Sequence, residues 1–371
     1  MRKCFNIVYS ILFIILLLLP LMTMNLKTEQ VSIIDNEKLP ELELRLGGFR
    51  SNLENYVDKR IGFRTESLDL YQQLNAKLFG VLEHPLYMYG ENGYVFFSLQ
   101  SYISDYQHLN LDSKWATEFA QNMQKLANIA EKYEAEFIYM LVPDKKTVYS
   151  EYFPKSVNVK GDTSRTEQVL KSLSQTNINW IYMDDIMLEG KKTMQVCNVL
   201  YDAGHWNENG AFLCYQHLYE RMRGVLPELE PLKLDDFEVK VKEEQSLQVS
   251  RFKIREEVPY YSLKQNSSVS DAQWLEENLF FPNKNLVHTR YKNTLIVDKP
   301  KILVFHDSYM FDHEKFFVGN FSEVTFIHRE NLFNLEVYEE YLKRISPDIV
   351  LYENPQRVFP ITFNKEYVIP E

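Results

Sequence analysis

Asp112-Ser-Lys-Trp-Ala-Thr-Glu-Phe-Ala-Gln-Asn-Met-Gln-Lys-Leu-Ala-Asn-Ile-Ala-Glu-Lys-Tyr-Glu-Ala-Glu-Phe-Ile-Tyr-Met-Leu-Val142 holds one full α/β unit. Trp115, Phe119, Met123, Leu126 and Ala130 recur at helical spacing on one face, behind Ser113, which is placed to cap the start. The helix runs into Phe137-Ile-Tyr-Met-Leu-Val142, an unbroken apolar run of the kind found in strands buried on both faces. The unit then repeats. Ser164-x-x-Glu167 is a capping box that opens a helix with Val169, Leu170 and Leu173, and Ile178-Asn-Trp-Ile-Tyr-Met183 is the next strand. Asn207 caps a third helix to about Val225, and Lys301–Phe305, Glu323–Ile327 and Asp348–Tyr352 supply further short strands. Such alternation predicts an α/β fold, a parallel sheet flanked by helices.

Outward from this core the pattern changes. Phe237-Glu-Val-Lys-Val-Lys242 and Arg251-Phe-Lys-Ile-Arg255 alternate as half-exposed strands do, so 232–297 reads as an irregular β-containing insertion within an α/β domain of 111–371. Residues 27–110 form a linker and an amino-terminal helical and hairpin segment. It includes a helical stretch near Glu41–Phe79, the charge cluster Asp58-Lys-Arg-Ile-Gly-Phe-Arg64, which reads as a helix end and turn around Gly62, and a turn into a strand at Gly90–Phe97. Before it, Cys4 to Leu26 carries no charge over 23 residues, enough to cross a membrane core. Arg2 and Lys3 precede it; Lys27, Glu29, Asp35 and Glu37 follow. The positive-inside rule then puts the bulk of the chain outside the cytoplasm. The exit Leu21–Leu26 lacks a small-x-small cleavage site, so 1–26 reads as an uncleaved signal-anchor, a transmembrane helix held in the cell membrane.

Composition narrows the chemistry. The 371 residues are 45% hydrophobic and 25% charged, an ordinary folded protein; 41 Lys+Arg against 52 Asp+Glu give a net charge of −11, which offers no basic field to nucleic acid. The twelve glycines form neither Gly-x-Gly-x-x-Gly nor a phosphate loop, so side chains must do the work, and neither cofactor nor metal is expected. Cys197 and Cys214 either close a loop of about 17 residues or stay as two buried thiols.

In open α/β sheets reactive residues gather beyond the carboxyl ends of the strands. Two places qualify. In Tyr201-Asp-Ala-Gly-His-Trp-Asn207 a turn at Ala203-Gly204 folds Asp202 under the His205 imidazole, just before a helix. In Phe305-His-Asp-Ser-Tyr-Met310 the Ser308 hydroxyl stands at a strand-to-helix junction, where free N–H groups face any oxyanion formed there. Ser308, His205 and Asp202 are thus a nucleophile, a base and its orienter. Lys145, Arg329 and Arg357 each follow a strand. They either bind an anionic or hydroxyl-rich glycan at the rim, or sit in ion pairs with Asp144 or Glu353.

Asp307-Ser308 resembles the Gly-Asp-Ser block of SGNH/GDSL esterases, and Asp202-x-x-His205 resembles their last block. Here the serine follows the Asp/His pair, a circularly permuted order that resembles the AlgX/AlgJ-like polysaccharide O-acetyltransferases. Asp58–Arg64, Gly90–Phe97, Val142–Pro154, His205-Trp-Asn and Glu353-Asn-Pro-Gln-Arg357 are similar to that subgroup as well, over about residues 36–360. Two positions differ from it: Asp202 stands three residues before the histidine instead of two, and His306 replaces the glycine before Asp-Ser. The resemblance implies an SGNH hydrolase-like fold and an extracytoplasmic O-acetyltransferase. It would move acetyl to hydroxyls of a bacterial polysaccharide through an acetyl-serine, supplied by a membrane-bound O-acyltransferase partner. Two other readings stand beside it: an SGNH-type acetyl-ester hydrolase, and an inactive glycan-binding scaffold.

Overall fold

The computed structural model describes residues 2–27, 38–42, 48–79, 86–248, 252–264, 272–274, 281–283, 285–286 and 288–359, with isolated positions around them. The strands in chain order are β1 (Tyr87–Tyr89), β2 (Val95–Phe97), β3 (Glu136–Val142), β4 (Asn179–Tyr182), β5 (Phe237–Ser246), β6 (Lys253–Leu263), β7 (Ala272–Trp274), β8 (His288–Asn293), β9 (Lys301–His306), β10 (Glu323–His328) and β11 (Ile349–Pro355). The α-helices are α1 (Arg2–Met22), α2 (Phe49–Arg60), α3 (Arg64–Phe79), α4 (Gln100–Tyr106), α5 (Ser113–Lys132), α6 (Lys145–Val148), α7 (Arg165–Leu173), α8 (Asp184–Gly190), α9 (Glu208–Arg223) and α10 (Leu335–Ile345).

The main sheet runs β4-β3-β11-β9-β10-β8-β7. Its first five strands are parallel, and β8 and β7 add to the β10 edge antiparallel. The sheet is therefore mixed, and the segment 232–297 is no single insertion. Its first part is the separate antiparallel ribbon β5–β6, while β7 and β8 extend the main sheet. His288-Thr-Arg-Tyr-Lys-Asn293, polar and mostly half-buried, suits a strand next to the edge of the sheet.

Period two divides the core between the two faces. Ile138, Met140, Ile302, Val304 and Leu351 pack against Tyr215, Leu218 and Met222 of α9. Phe137, Tyr139, Leu303, Phe305 and Tyr352 pack against Phe119 and Met123 of α5 and Val337 and Tyr341 of α10. Each fully buried aromatic or aliphatic side chain stabilises by roughly 2–3 kcal/mol. The helix starts follow local chemistry. Asp112, not Ser113, caps α5, its carboxylate accepting from Trp115 N at 3.1 Å; Ser164 and Glu167 form the capping box of α7; Asn207 caps α9 through Gly210 N.

A smaller core, Leu82, Tyr87, Val95, Ala203, Leu247 and Phe252, joins β1–β2 to the ribbon and to the chain around Ala203. At the amino end, α2 stops at Arg60 and α3 starts at Arg64. The Gly62 N–H donates to Pro20 O at 2.8 Å, and the Arg60 guanidinium to the carbonyls of Asn25, Lys27 and Pro40. A Cβ on Gly62 would meet Thr23 Oγ1 at 1.9 Å, which explains glycine there. The cluster Asp58–Arg64 is thus a helix end and turn docked against the end of α1. Among the described residues no helix is long and apolar enough to cross a membrane. Side chains in α1 are described only from Ile7 onward, so the anchor expected over 1–26 lies partly outside them.

Candidate active site

Four parallel strands end at one edge, and each delivers side chains there. β3 leads to Asp144 and Lys145, β9 to Ser308, β10 to Arg329 and β11 to Arg357. Asp202 and His205 come to the same edge on the loop that precedes α9.

The loop folds as the Ala203-Gly204 turn requires. Asp202 Oδ1 accepts from the N–H of Gly204 at 2.7 Å and of His205 at 2.9 Å, and Oδ2 lies 2.8 Å from His205 Nδ1. Burial alone would push this carboxyl up. The adjoining imidazole and the two backbone N–H groups outweigh it and hold Asp202 well below the usual carboxylate range. As an ionised acceptor it makes Nδ1 the protonated nitrogen, which leaves Nε2 as the acceptor. Ser308 Oγ stands 2.9 Å from that Nε2. Ser308 is exposed while His306, Asp307 and Tyr309 around it are buried, so the hydroxyl meets solvent at the end of a rigid strand.

Ser308 opens a single 3₁₀ turn, Ser308–Met310, instead of the α-helix expected after it. Asp307 shapes the turn, its Oδ1 accepting from Tyr309 N at 2.9 Å, and its own N–H donates to Glu353 Oε2 at 3.0 Å. The Ser308 N–H meets no acceptor among the described residues, the state that an oxyanion donor needs. Burial, with Asp307 close by, pushes the Glu353 carboxyl well above its ordinary range. His306 is buried, donates from Nδ1 to Asp307 O at 2.8 Å, and is pushed down to about 4 by burial.

Of the three cations expected at the rim, two are buried and paired behind the site and one reaches it. Lys145 is fully buried, and its ammonium is used up on the carbonyls of Val95, Val199 and Asp202. Arg329 is buried behind the nucleophile turn, its Nη2 3.9 Å from Asp307 Oδ2. Only Arg357 reaches the reacting groups: Nη2 is 3.1 Å from His205 Nε2, while Nη1 binds Asp144 Oδ1 and, at 2.8 Å, the Tyr309 hydroxyl. The physical reason is shared. At these strand ends a cation has carbonyls or a carboxylate within reach, and pairing there keeps a buried charge satisfied.

Tyr309 is a site residue that the sequence reading passed over, and Asp144, which it gave only as an ion-pair partner for these cations, is paired with Arg357. Burial raises the Asp144 carboxyl, but Arg357 and Lys146 together lower it to about 2. The Tyr309 hydroxyl shares its proton between Asp144 Oδ1 (2.9 Å) and Gly204 O, so one side chain ties the nucleophile turn to the base loop. Trp206 repeats the tie, Nε1 donating to Tyr309 O at 2.7 Å. The signal was available: Asp144 directly follows a strand, and Tyr309 follows the nucleophile. Cys197 and Cys214 are both free and buried.

Residues 88–265 match the family described as the SGNH hydrolase-like domain of acetyltransferase AlgX. The matched part includes Asp202 and His205 and ends before Ser308. No curated protein sequence matches the chain. Among solved structures the chain is similar to Bacillus cereus PatB1, at 14% identity and a TM-score of 0.51 over 72% of this chain and 94% of that one. It is also similar to PatB1 with a sulfonyl adduct, at 13% and 0.52 over 73% and 93%. The O-acetyltransferase domain of Pseudomonas putida AlgJ is similar at 17% and 0.50 over 76% and 94%. At these identities the structural likeness is one of fold.

Proposed function

We propose that this chain, a member of the AlgX-type SGNH hydrolase-like acetyltransferases through residues 88–265, is an O-acetyltransferase acting on a polysaccharide outside the cytoplasm, with Ser308, His205 and Asp202 as its triad. The observation that carries the proposal is the unbroken line from Asp202 Oδ2 through the imidazole to Ser308 Oγ, at 2.8 and 2.9 Å.

The geometry fits two half-reactions. His205 Nε2 takes the Ser308 proton as Oγ attacks the acetyl carbonyl carbon of the donor. The negative charge that forms on the carbonyl oxygen meets the Ser308 N–H and lies near the Arg357 guanidinium. Collapse of the intermediate expels the donor's leaving group, which collects the proton from Nε2, and acetyl-Ser308 remains. A sugar hydroxyl then gives its proton to His205 and attacks the acetyl-serine, and Ser308 leaves with the proton restored. Exposure of Ser308 suits an acceptor that is one hydroxyl of a long polymer. Water reaches the same atom, so acceptor occupancy decides between transfer and hydrolysis.

The membrane anchor and an acetyl-supplying membrane O-acyltransferase partner belong to the same proposal. The large apolar side chains of α1 from Ile7 to Met22 stand exposed, which supports an apolar medium around them. The test is acetyl transfer from an activated acetyl ester with and without an oligosaccharide acceptor. Ester on the oligosaccharide from wild type, and none from Ser308→Ala, is the expected result; acetate release indifferent to acceptor would make the chain an esterase, and turnover by neither would leave a glycan-binding scaffold.

A further inference from the structure

The loop that carries Asp202 and His205 extends no strand, so no sheet ladder fixes it. It is gripped instead from two sides by opposite charges. On one side the Glu256 carboxylate, in β6 of the ribbon, accepts from three successive backbone groups: Val199 N–H to Oε1 at 2.5 Å, and Leu200 and Tyr201 N–H to Oε2 at 2.8 and 2.6 Å. Consecutive N–H groups converging on one carboxylate make an anion nest. On the other side the buried Lys145 ammonium gives its three protons to Val95 O at 2.8 Å, Val199 O at 3.0 Å and Asp202 O at 2.8 Å. Two further bonds close the frame, Val95 N to Val199 O at 2.9 Å and Gln248 N to Tyr201 O at 2.7 Å. From Val199 to Asp202 each residue is thus held through its N–H, its C=O or both, and the Asp202 side chain is left to meet His205.

The charges also oppose one another across the loop. Glu256 alone would add a second negative charge near Asp202; Lys145 attracts both carboxylates and closes the clamp electrically. One end of the ribbon is anchored in the main core, where Phe237 and Tyr261 pack on Phe212 and the Tyr261 hydroxyl donates to Asn209 Oδ1 at 2.9 Å; most β5 side chains are exposed, and toward the Asp202 loop the ribbon joins the domain through the small core of Leu247, Phe252 and Ala203 and through Glu256.

We infer that Glu256 is a positioning residue for the reaction at Ser308, and that the β5–β6 ribbon serves that reaction by clamping, against Lys145, the loop that presents Asp202 to His205. This rests on Asp202 being the triad acid, as proposed above.

Glu256→Gln tests it in the full chain, because the amide keeps the volume but turns an NH₂ toward N–H donors. Acetyl-transfer kcat should fall by about 10²-fold with KM unchanged, the loss expected when a remote contact lets a reacting group shift by about an ångström. In the Asp202→Asn background the same substitution should have no further effect, since the carboxylate to be placed is gone. Wild-type turnover in Glu256→Gln, or an equal loss in both backgrounds, would overturn the inference. A readout independent of turnover accompanies it: the downfield proton resonance of His205 Nδ1–H bonded to Asp202, seen in wild type, should be lost or shifted in Glu256→Gln. That change in a chain without acetyl transfer would sink the proposed activity and leave the clamp standing; an unchanged resonance would sink the clamp. Glu256→Asp, which keeps the charge and shortens its reach, takes the place of Glu256→Gln with the same expected pattern if the amide variant does not fold.

Discussion

The two halves of the candidate triad are held by different physics. Ser308 stands two residues past β9, whose backbone is paired on both sides, with β11 through Ile302–Phe305 and with β10 from Lys301 to His306. Asp202 and His205 ride on a loop with no ladder, held by side chains: Glu256 and Lys145 on its backbone, Tyr309 at Gly204 O, and Trp206 reaching across to Tyr309 O. A ladder distributes its hold over many equivalent bonds, whereas the loop depends on a few groups, Glu256 half-buried and the others buried, each expensive to lose. The difference teaches where the site is fragile. Substitutions under the strand end should cost stability and spare turnover, while substitutions around the loop should cost turnover out of proportion to stability.

The largest expected effect lies on the loop side. Asp202→Asn keeps the shape but offers an amide to Nδ1 and disfavours the required tautomer, so kcat should fall by about 10⁴-fold with the fold intact; steady-state kinetics beside a thermal melt checks both halves of that statement. Next comes the joint between the halves. Asp144→Asn leaves Arg357 and Lys146 buried without their counter-charge, and chemical denaturation should register a loss of about 3–5 kcal/mol. The pH dependence of the wild type carries the same information. The folded Asp144 carboxyl sits at about 2, below its unfolded value near 3.8, so the unfolded chain binds the extra proton between these values. The contribution of about 2 kcal/mol is present above pH 4 and is lost as pH falls toward 2; Asp144→Asn should lack that loss.

A finer probe is Gly204→Ala. A Cβ there would meet Phe97 Cε2 at 2.3 Å and Arg357 Nη1 at 3.2 Å, pressing on the two groups that flank the base. A drop in kcat of about 10²-fold is expected, with a melting temperature close to wild type. If stability falls and kcat does not, the contrast between loop and strand is mistaken. The smallest effect on turnover is expected at the strand end. His306→Asn should leave kcat nearly unchanged but alter acid stability. Because folded His306 titrates at about 4 and unfolded histidine near 6.5, the unfolded chain binds more protons in between, and stability falls by about 3 kcal/mol as pH drops through that window. The variant should flatten that slope.

What the sequence made legible follows the same division. Helix periodicity and apolar runs located β3, β4, β9 and β10 to within a residue or two, and the start of β11, because all of these but the edge strand β4 are buried on both faces. Neither the placing of β11 between β3 and β9 nor the antiparallel edge could be read, since neighbours far apart in sequence leave no local mark. Ser308, His205 and Asp202 stood out by residue type and by their places at element ends. The roles of Lys145 and Glu256 did not. The partners of Lys145 are backbone carbonyls 50 to 57 residues away, and Glu256 lies in an alternating strand where a carboxylate looks like surface. A charged residue in sequence carries no sign of burial; only the fold supplies the carbonyls and N–H groups that make burial tolerable.

One measurement bears most directly on the whole arrangement. Full-length wild type, Ser308→Ala and Asp202→Asn are treated with an activated acetyl ester, quenched, and mapped by peptide mass, then exposed to an oligosaccharide acceptor. One acetyl group on the peptide containing Ser308 in wild type, absent from Ser308→Ala, slow to form in Asp202→Asn and discharged onto the oligosaccharide, is the expected result. A wild-type chain that gains no acetyl at Ser308, or that acetylates the acceptor equally well without that hydroxyl, would contradict it.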